Sequence, residues 1–259
     1  MYLIDSHCHL DFAQFDLDRE YILTHCQQIG VNDIVIPGVT ANSWDNLLAV
    51  CKQSTMLHPA LGLHPMFINE HQPEHLNQLT EQISNHHIIA IGEIGLDFYI
   101  ADHDKDLQIH LFTEQLKIAQ QSKLPVLLHV RKAHEQTISL LKKHPVSGGI
   151  IHAFNGSLQQ AQQYQSLGFL LGIGGAITHP NATRLRAMVS QLPLSSIALE
   201  TDAPDMPLHL MKQQHNTPEN IAVILDVLAT LRSESKDGIA MATTANCRRV
   251  LTLANKQGI

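Results

Sequence analysis

Two histidines one residue apart stand near the start of the chain, in Asp5-Ser6-His7-Cys8-His9, directly behind the apolar run Tyr2-Leu3-Ile4. In an extended segment, residues two apart point to the same face. The pair therefore makes half a site for a transition metal that accepts imidazole donors. Alone it carries little weight, because two histidines also meet by chance. Four more residues with donor chemistry, Glu93, His129, His152 and Asp202, each end or follow a short apolar run that reads as a strand. Singly each has an ordinary reading: a hydrogen-bonded strand-end histidine, Glu93 paired with a basic side chain, Asp202 capping the next helix. Jointly, six donors at the same end of five strands argue for a metal centre.

The elements that must position these residues alternate along the chain. Strands are expected at residues 2–5, 33–39, 56–61, 88–92, 125–129, 149–153, 169–173 and 196–200. The runs are nearly continuous in apolar residues, as parallel strands buried on both faces require. Helix-period stripes lie between them, such as Leu107, Leu111, Phe112, Leu116 and Ala119, and Ile221, Ile224, Leu225, Leu228 and Leu231. Thr217-Pro218 has the pattern of an N-cap followed by proline at the first helical position. The longest irregular stretch is 203–216. Eight strand–helix units without a linker predict a single α/β domain over residues 1–259, a (β/α)8 TIM barrel. A doubly wound sheet is the alternative, weakened by the absence of any glycine-rich nucleotide fingerprint.

In a barrel the C-terminal strand ends open on one face, where active sites of this fold sit. Six donors exceed the three protein ligands that one catalytic zinc usually takes. They suit two ions bridged by Glu93, with His7, His9 and Asp202 on one and His129 and His152 on the other. A water between two cations would be acidic enough to supply hydroxide near neutral pH. Asp202 is placed to orient it and take its proton. His64, in Gly62-Leu63-His64-Pro65, lies on the same rim and is read as facing substrate. Asp97 and Arg131 are there too, either as a supporting ion pair or in contact with phosphate or water. Asn155 is a weaker substrate contact. His86, His87, His103, His110, His144 and His215 read as surface residues.

Bulk composition limits the alternatives. The chain has 259 residues, 44% hydrophobic and 16% charged, enough for a large core. No run of about 18 apolar residues suggests a membrane span, and the acidic N-terminal segment is unlike a signal peptide. Cys8, Cys26, Cys51 and Cys247 are scattered without a C-x-x-C, which fits a reducing cytosol rather than a disulfide framework. Strand alternation turns Cys8 away from its histidine neighbours and into the core. A net charge of −7, with 18 His against 17 Lys plus Arg, argues against broad duplex binding. It leaves room for a small site whose positive charge comes from metal ions.

Four stretches, Asp5-Ser6-His7-Cys8-His9, Gly92-Glu93-Ile94-Gly95-Leu96-Asp97, Leu128-His129-Val130-Arg131 and Leu199-Glu200-Thr201-Asp202-Ala203-Pro204, resemble the TatD family of metal-dependent deoxyribonucleases. Asp205-Met206-Pro207-Leu208 and Gly156-Ser157-Leu158-Gln159-Gln160-Ala161 look like its YjjV-like branch. The resemblance runs from residue 2 to about residue 250. It implies a TIM-barrel hydrolase with an amidohydrolase-like metal site and two divalent ions. It also implies activity on DNA, typically at the 3′ ends of single strands, with no obligate protein partner. The family's ligands fall on His7, His9, Glu93, His129, His152 and Asp202. Histidine-rich ligation favours zinc, manganese, cobalt or nickel, and the resemblance adds magnesium. Residues 204–217, a loop rich in cations in many relatives, hold one firm cation here, Lys212.

Two rivals differ in kind. One is a metal-dependent deacylase or amidohydrolase acting on an ester or amide such as an aminoacyl-tRNA. The other is a metal-binding scaffold without turnover, for which a full ligand set plus a base is more than binding needs. Charge placement separates the first rival, since a phosphodiesterase should set Arg131, Lys132 and Arg184 around the rim cavity.

Overall fold

In this computed structural model, residues 1–100, 102, 104–209, 211 and 215–254 are described. Eight strands, β1 (Leu3–Asp5), β2 (Val31–Pro37), β3 (Leu57–Leu61), β4 (Ala90–Asp97), β5 (Val126–Arg131), β6 (Gly149–Ile151), β7 (Phe169–Ile173) and β8 (Ile197–Leu199), form one sheet. Neighbours in space are neighbours in sequence, and every pair is parallel. The ends of β8 and β1 meet through Ser6 N–H to Leu199 O (3.0 Å) and Asp202 N–H to His7 O (2.8 Å). The sheet thus curls into a nearly closed (β/α)8 barrel.

Outside it run α1 (Arg19–Ile29), α2 (Trp44–Cys51), α3 (Glu74–Asn85), α4 (Lys105–Ser122), α5 (His134–Lys143), α6 (Leu158–Ser166), α7 (Thr183–Gln191), α8 (Ile221–Leu231) and α9 (Lys236–Leu251). Strand parity divides the core. Ile4, Val35, Ala60, Ala90, Leu127, Ile150, Leu170 and Ala198, one from each strand, fill the interior, and Cys247, Val250 and Leu251 of α9 plug its lower end. The alternate residues, such as Ile34, Ile36, Ile91, Leu128, Ile151 and Leu171, pack outward against the helices. Burying a Leu or Ile side chain contributes about 1.5–3 kcal/mol, so a one-residue slip of any strand would forfeit several such contributions.

The expected strands are all present, with shifted ends. The largest shift is in β4, which continues to Asp97 and so contains Glu93 and Asp97 instead of stopping before them. Its register against β5 shifts between Ile91 and Ile94. The irregularity reverses parity: Ala90 points inward and, past the shift, so do Glu93, Gly95 and Asp97. Gly95 has φ +142°, and a Cβ there would lie 2.0 Å from the His129 carbonyl oxygen, so only glycine fits between β4 and β5. Leu107 is exposed and the buried stripe of α4 starts at Leu111. Thr217 does precede a helical proline, but in a 3-10 turn (Pro218–Asn220) ahead of α8, and its side chain makes no capping bond. Cys8 is fully buried in the core. Among the described residues, no helix is long and apolar enough to cross a membrane.

Candidate metal centre at the barrel mouth

Three of the inward positions follow from parity. His129 stands two residues after Leu127, His152 two after Ile150, and Glu200 two after Ala198, so all three continue the interior rows toward the mouth. His7 and His9 leave the end of β1. Asp5 fixes that departure: Oδ1 accepts the N–H groups of Thr201 (3.0 Å) and His7 (3.2 Å), and Oδ2 accepts the Thr201 hydroxyl at 2.5 Å. The same clamp sets Asp202, whose φ of 60° lies in the left-handed region that Asp enters more readily than most residues.

Glu93 is at the centre of the cluster and is 2% exposed. Its Oε2 lies 3.1 Å from His7 Nε2 and 3.7 Å from His9 Nε2. Its Oε1 lies 3.1 Å from His129 Nδ1 and 3.2 Å from His64 Nε2. Asp202 Oδ1 faces His7 (3.7 Å) and His9 (3.8 Å), and its Oδ2 lies 3.4 Å from His152 Nε2. Three donor sets each lie within 4.8 Å: His7, His9 and Asp202; His7, Glu93 and His152; His64, Glu93 and His129. Buried carboxylates ringed by imidazoles, with donor atoms at this spacing, fit divalent cations that take nitrogen and oxygen ligands.

The grouping differs from the sequence expectation in two respects. His152 stands with His7 and Glu93, whereas the sequence expectation sets it with His129 and Glu93. His64, expected to face substrate, is buried and turns to Glu93 beside His129. Asp97 also fails to face substrate: it is fully buried, and its Oδ2 lies 3.0 Å from His129 Nε2. Its direct contact is with His129, and Arg131 acts on it only through space. Asn155 is exposed and lines the mouth cavity, with Arg131, His129, His152 and Asp202. That cavity holds about 360 Å³. Arg184 lines an adjoining cavity that shares Asn155 and Leu185. Lys132 lies over the Tyr99 ring next to Arg131. Lys212 and His103 lie outside the described residues.

Glu200 was missed by sequence reasoning, though its parity with Ala198 was a usable signal. It is fully buried, its Oε1 accepts the Ala153 N–H at 2.6 Å, and the same oxygen lies 3.0 Å from His152 Nδ1. A Cβ on Gly172 would sit 2.1 Å from Oε2, so glycine there makes room for the carboxylate. Asp97 and Glu200 thus occupy the outer nitrogens of His129 and His152. Each leaves the other nitrogen, Nδ1 of His129 and Nε2 of His152, toward the centre.

Electrostatics follow from this packing. Burial pushes the Glu93 carboxyl up, but His64, His7 and His129 outweigh it and hold the group well below the carboxylate range. Asp202 is likewise raised by burial and brought below its ordinary value by His152, His7 and His9. Burial lowers His152, while Asp202 and Glu200 overcome this and hold it well above the imidazole range. Burial and the neighbouring His7 push His9 down to about 4. In the metal-free protein, protons on some rings therefore balance the acids that a metal would balance.

The chain has close relatives. A protein-family model described as TatD related DNase matches residues 4–252. The uncharacterized metal-dependent hydrolase YjjV of Escherichia coli K12 is 42% identical over 246 residues, covering 94% of this chain and 95% of that protein. An uncharacterized metal-dependent hydrolase of Haemophilus influenzae is 34% identical, over 97% of this chain and the whole of the other. The crystal structure of E. coli YjjV, described as a TatD homolog, superposes with a TM-score of 0.94 over 97% of this chain and 98% of that one, at 40% identity. Fold, donor cluster and similarity over nearly the whole length agree: the chain belongs to the TatD family of metal-dependent hydrolases.

Proposed function

We propose that the protein is a two-metal phosphodiesterase that trims single-stranded DNA from its 3′ ends. The observation that supports this reading best is the placement of Glu93. Its two oxygens face two different sets of histidines, beside a cavity bordered by Arg131. In this reading His7, His9 and Asp202 would hold one cation and His64 and His129 the other, with Glu93 and His152 completing the donor set. Bound divalent ions would polarise a phosphoryl oxygen and acidify a water molecule.

The protein's own groups carry the remaining work. Asp202 lines the cavity and is ionised at neutral pH, so it can accept the proton of the attacking water. The water oxygen bonds to phosphorus, the bond from phosphorus to the 3′ oxygen of the preceding nucleotide breaks, and that oxygen takes up a proton from solvent water to leave as a 3′ hydroxyl. Asp97 and Glu200 keep His129 and His152 in one orientation throughout. Arg131, at the cavity edge, holds the charge of the substrate phosphates, and Asn155 contacts the substrate beside it. The acidic overall balance makes this grip local, so trimming is distributive and weakens with salt by about 0.7 in log–log slope for each phosphate held.

The test is one panel run with zinc, manganese, magnesium, cobalt and nickel. It compares 3′-labelled single-stranded DNA, RNA, a small phosphodiester and an aminoacyl ester. Trimming of the DNA is expected, with Arg131→Ala raising KM for DNA more than for the small diester. Cleavage of the aminoacyl ester with every phosphodiester left intact would establish the deacylase reading instead.

A further inference from the structure

The strand register brings an exposed aromatic ring under two cations, one of which, Arg131, lines the mouth cavity. Asp97 of β4 pairs with Arg131 of β5. Phe98 N–H bonds the Arg131 carbonyl at 2.9 Å, which keeps the chain after β4 running beside the chain after β5. Tyr99 then lies beside Arg131 and Lys132. The Arg131 guanidinium carbon is 3.8 Å from the centre of the Tyr99 ring and the Lys132 Nζ is 4.6 Å from it. The ring remains 53% exposed. Its backbone is fixed by the metal-site support, since Tyr99 N–H donates to Asp97 Oδ1 at 2.9 Å.

The kind of partner matters here. Among the described residues, neither Arg131 nor Lys132 forms a salt bridge. Asp97 has both oxygens engaged elsewhere, one by Tyr99 N–H and the other by His129. A carboxylate would order the two cations and also cancel their charge. The face of an aromatic ring orders them while leaving the charge available. Two adjacent cations without a salt-bridge partner among the described residues, Arg131 sharing only the through-space field of Asp97, form a local anion site on a chain of net charge −7.

We propose that Tyr99 is a positioning residue for the substrate strand, holding Arg131 and Lys132 so that they grip the phosphates adjoining the one under attack. This rests on the phosphodiesterase reading above. Tyr99 touches no reacting atom; it acts through the two cations. A substrate with a single phosphodiester offers them no neighbouring phosphate, so only longer strands gain from the platform.

Steady-state kinetics of Tyr99→Leu and Tyr99→Phe test this on a short single-stranded oligodeoxynucleotide and on a nitrophenyl phosphodiester, each over a range of salt. Tyr99→Leu should raise KM for the oligonucleotide by about fivefold, the scale of one cation–π interaction, with kcat and the small diester unaffected. The slope of log KM against log salt should flatten by about 0.7 for each phosphate no longer held. Tyr99→Phe keeps the ring face and should behave as wild type. An unchanged oligonucleotide KM and salt slope in Tyr99→Leu overturns the proposal. So does an equal rise in KM for both substrates, or a Tyr99→Phe variant as impaired as Tyr99→Leu. If the wild type cleaves neither phosphodiester, the parent reading fails instead, which is a separate result.

Discussion

Replacing Glu200 by glutamine isolates what a carboxylate behind a histidine contributes. Glu200 is fully buried, and its Oε1 lies 2.6 Å from the Ala153 N–H and 3.0 Å from His152 Nδ1. Its other oxygen has no hydrogen-bond partner among the described residues. Glutamine keeps the shape and one acceptor but removes the charge, and adds an N–H2 where no acceptor stands. Two effects then oppose each other. His152 becomes less basic, because burial already lowers it and Glu200 is, after Asp202, the main charge raising it. Less proton competition favours metal at neutral pH. Against that, the ring loses the anion 3.0 Å from its outer nitrogen, and with it an electrostatic hold on its orientation. Loss of such a partner typically costs 10–100-fold in metal affinity, about 1.4–2.7 kcal/mol. Titration against a colorimetric chelator at a series of pH values from about 7 to about 9.5 separates the two effects, because the proton effect fades as pH rises past the raised His152 value and the orientation effect does not. One ion should then bind Glu200→Gln at least tenfold more weakly, with the second unchanged. Gly172→Ala is the complementary change, since its Cβ would fall 2.1 Å from Oε2 and displace the carboxylate while the charge stays. Thermal unfolding of both variants monitors the fold. Wild-type affinity for both ions in a folded Glu200→Gln protein would refute the argument that Glu200 orients a ligand.

Three donor sets, two sharing Glu93 and one built on Asp202, lead us to expect about two divalent ions per chain by elemental analysis, with His64→Ala and His129→Ala each losing mainly the same ion; saturation at one ion would end the binuclear model. Asp202→Asn keeps an oxygen donor but no proton acceptor, so turnover should fall about 100-fold or more with the fold retained; near-normal turnover removes Asp202 from the role of base. Metal binding should also release protons. The sign follows from His152 and His129, which burial lowers but neighbouring carboxylates hold above the ordinary imidazole value of 6.5. A cation must displace their protons, so apparent affinity rises as pH increases from 6.5 upward. Calorimetry in two buffers of different ionisation enthalpy reads this directly, and an affinity independent of pH between about 6.5 and 8.5 would contradict it.

Much of the architecture was legible in the residues. Eight apolar runs separated by helical stripes are enough for a parallel sheet covered on both faces, because a strand buried on both faces cannot carry an alternating polar pattern, while the strand order that separates a barrel from a doubly wound sheet came from the structure. A barrel then places His7, His9, His129, His152 and Asp202 on one rim from their positions alone. What the chain could not reveal depends on how strands sit against one another. Glu93 points inward only because the register of β4 shifts against β5 between Ile91 and Ile94, and nothing local to Gly92-Glu93 sets where the neighbouring strand lies. His64 joins Glu93, Asp97 turns to His129, and Glu200 reaches His152 across separations of 29 to 48 residues. Tyr99 meets Arg131 across 32 residues for the same reason. Periodicity records which face a side chain takes within its own strand. Which donors come within a few ångströms of each other is decided by strand stagger and barrel closure, and these exist only once all eight strands are packed together.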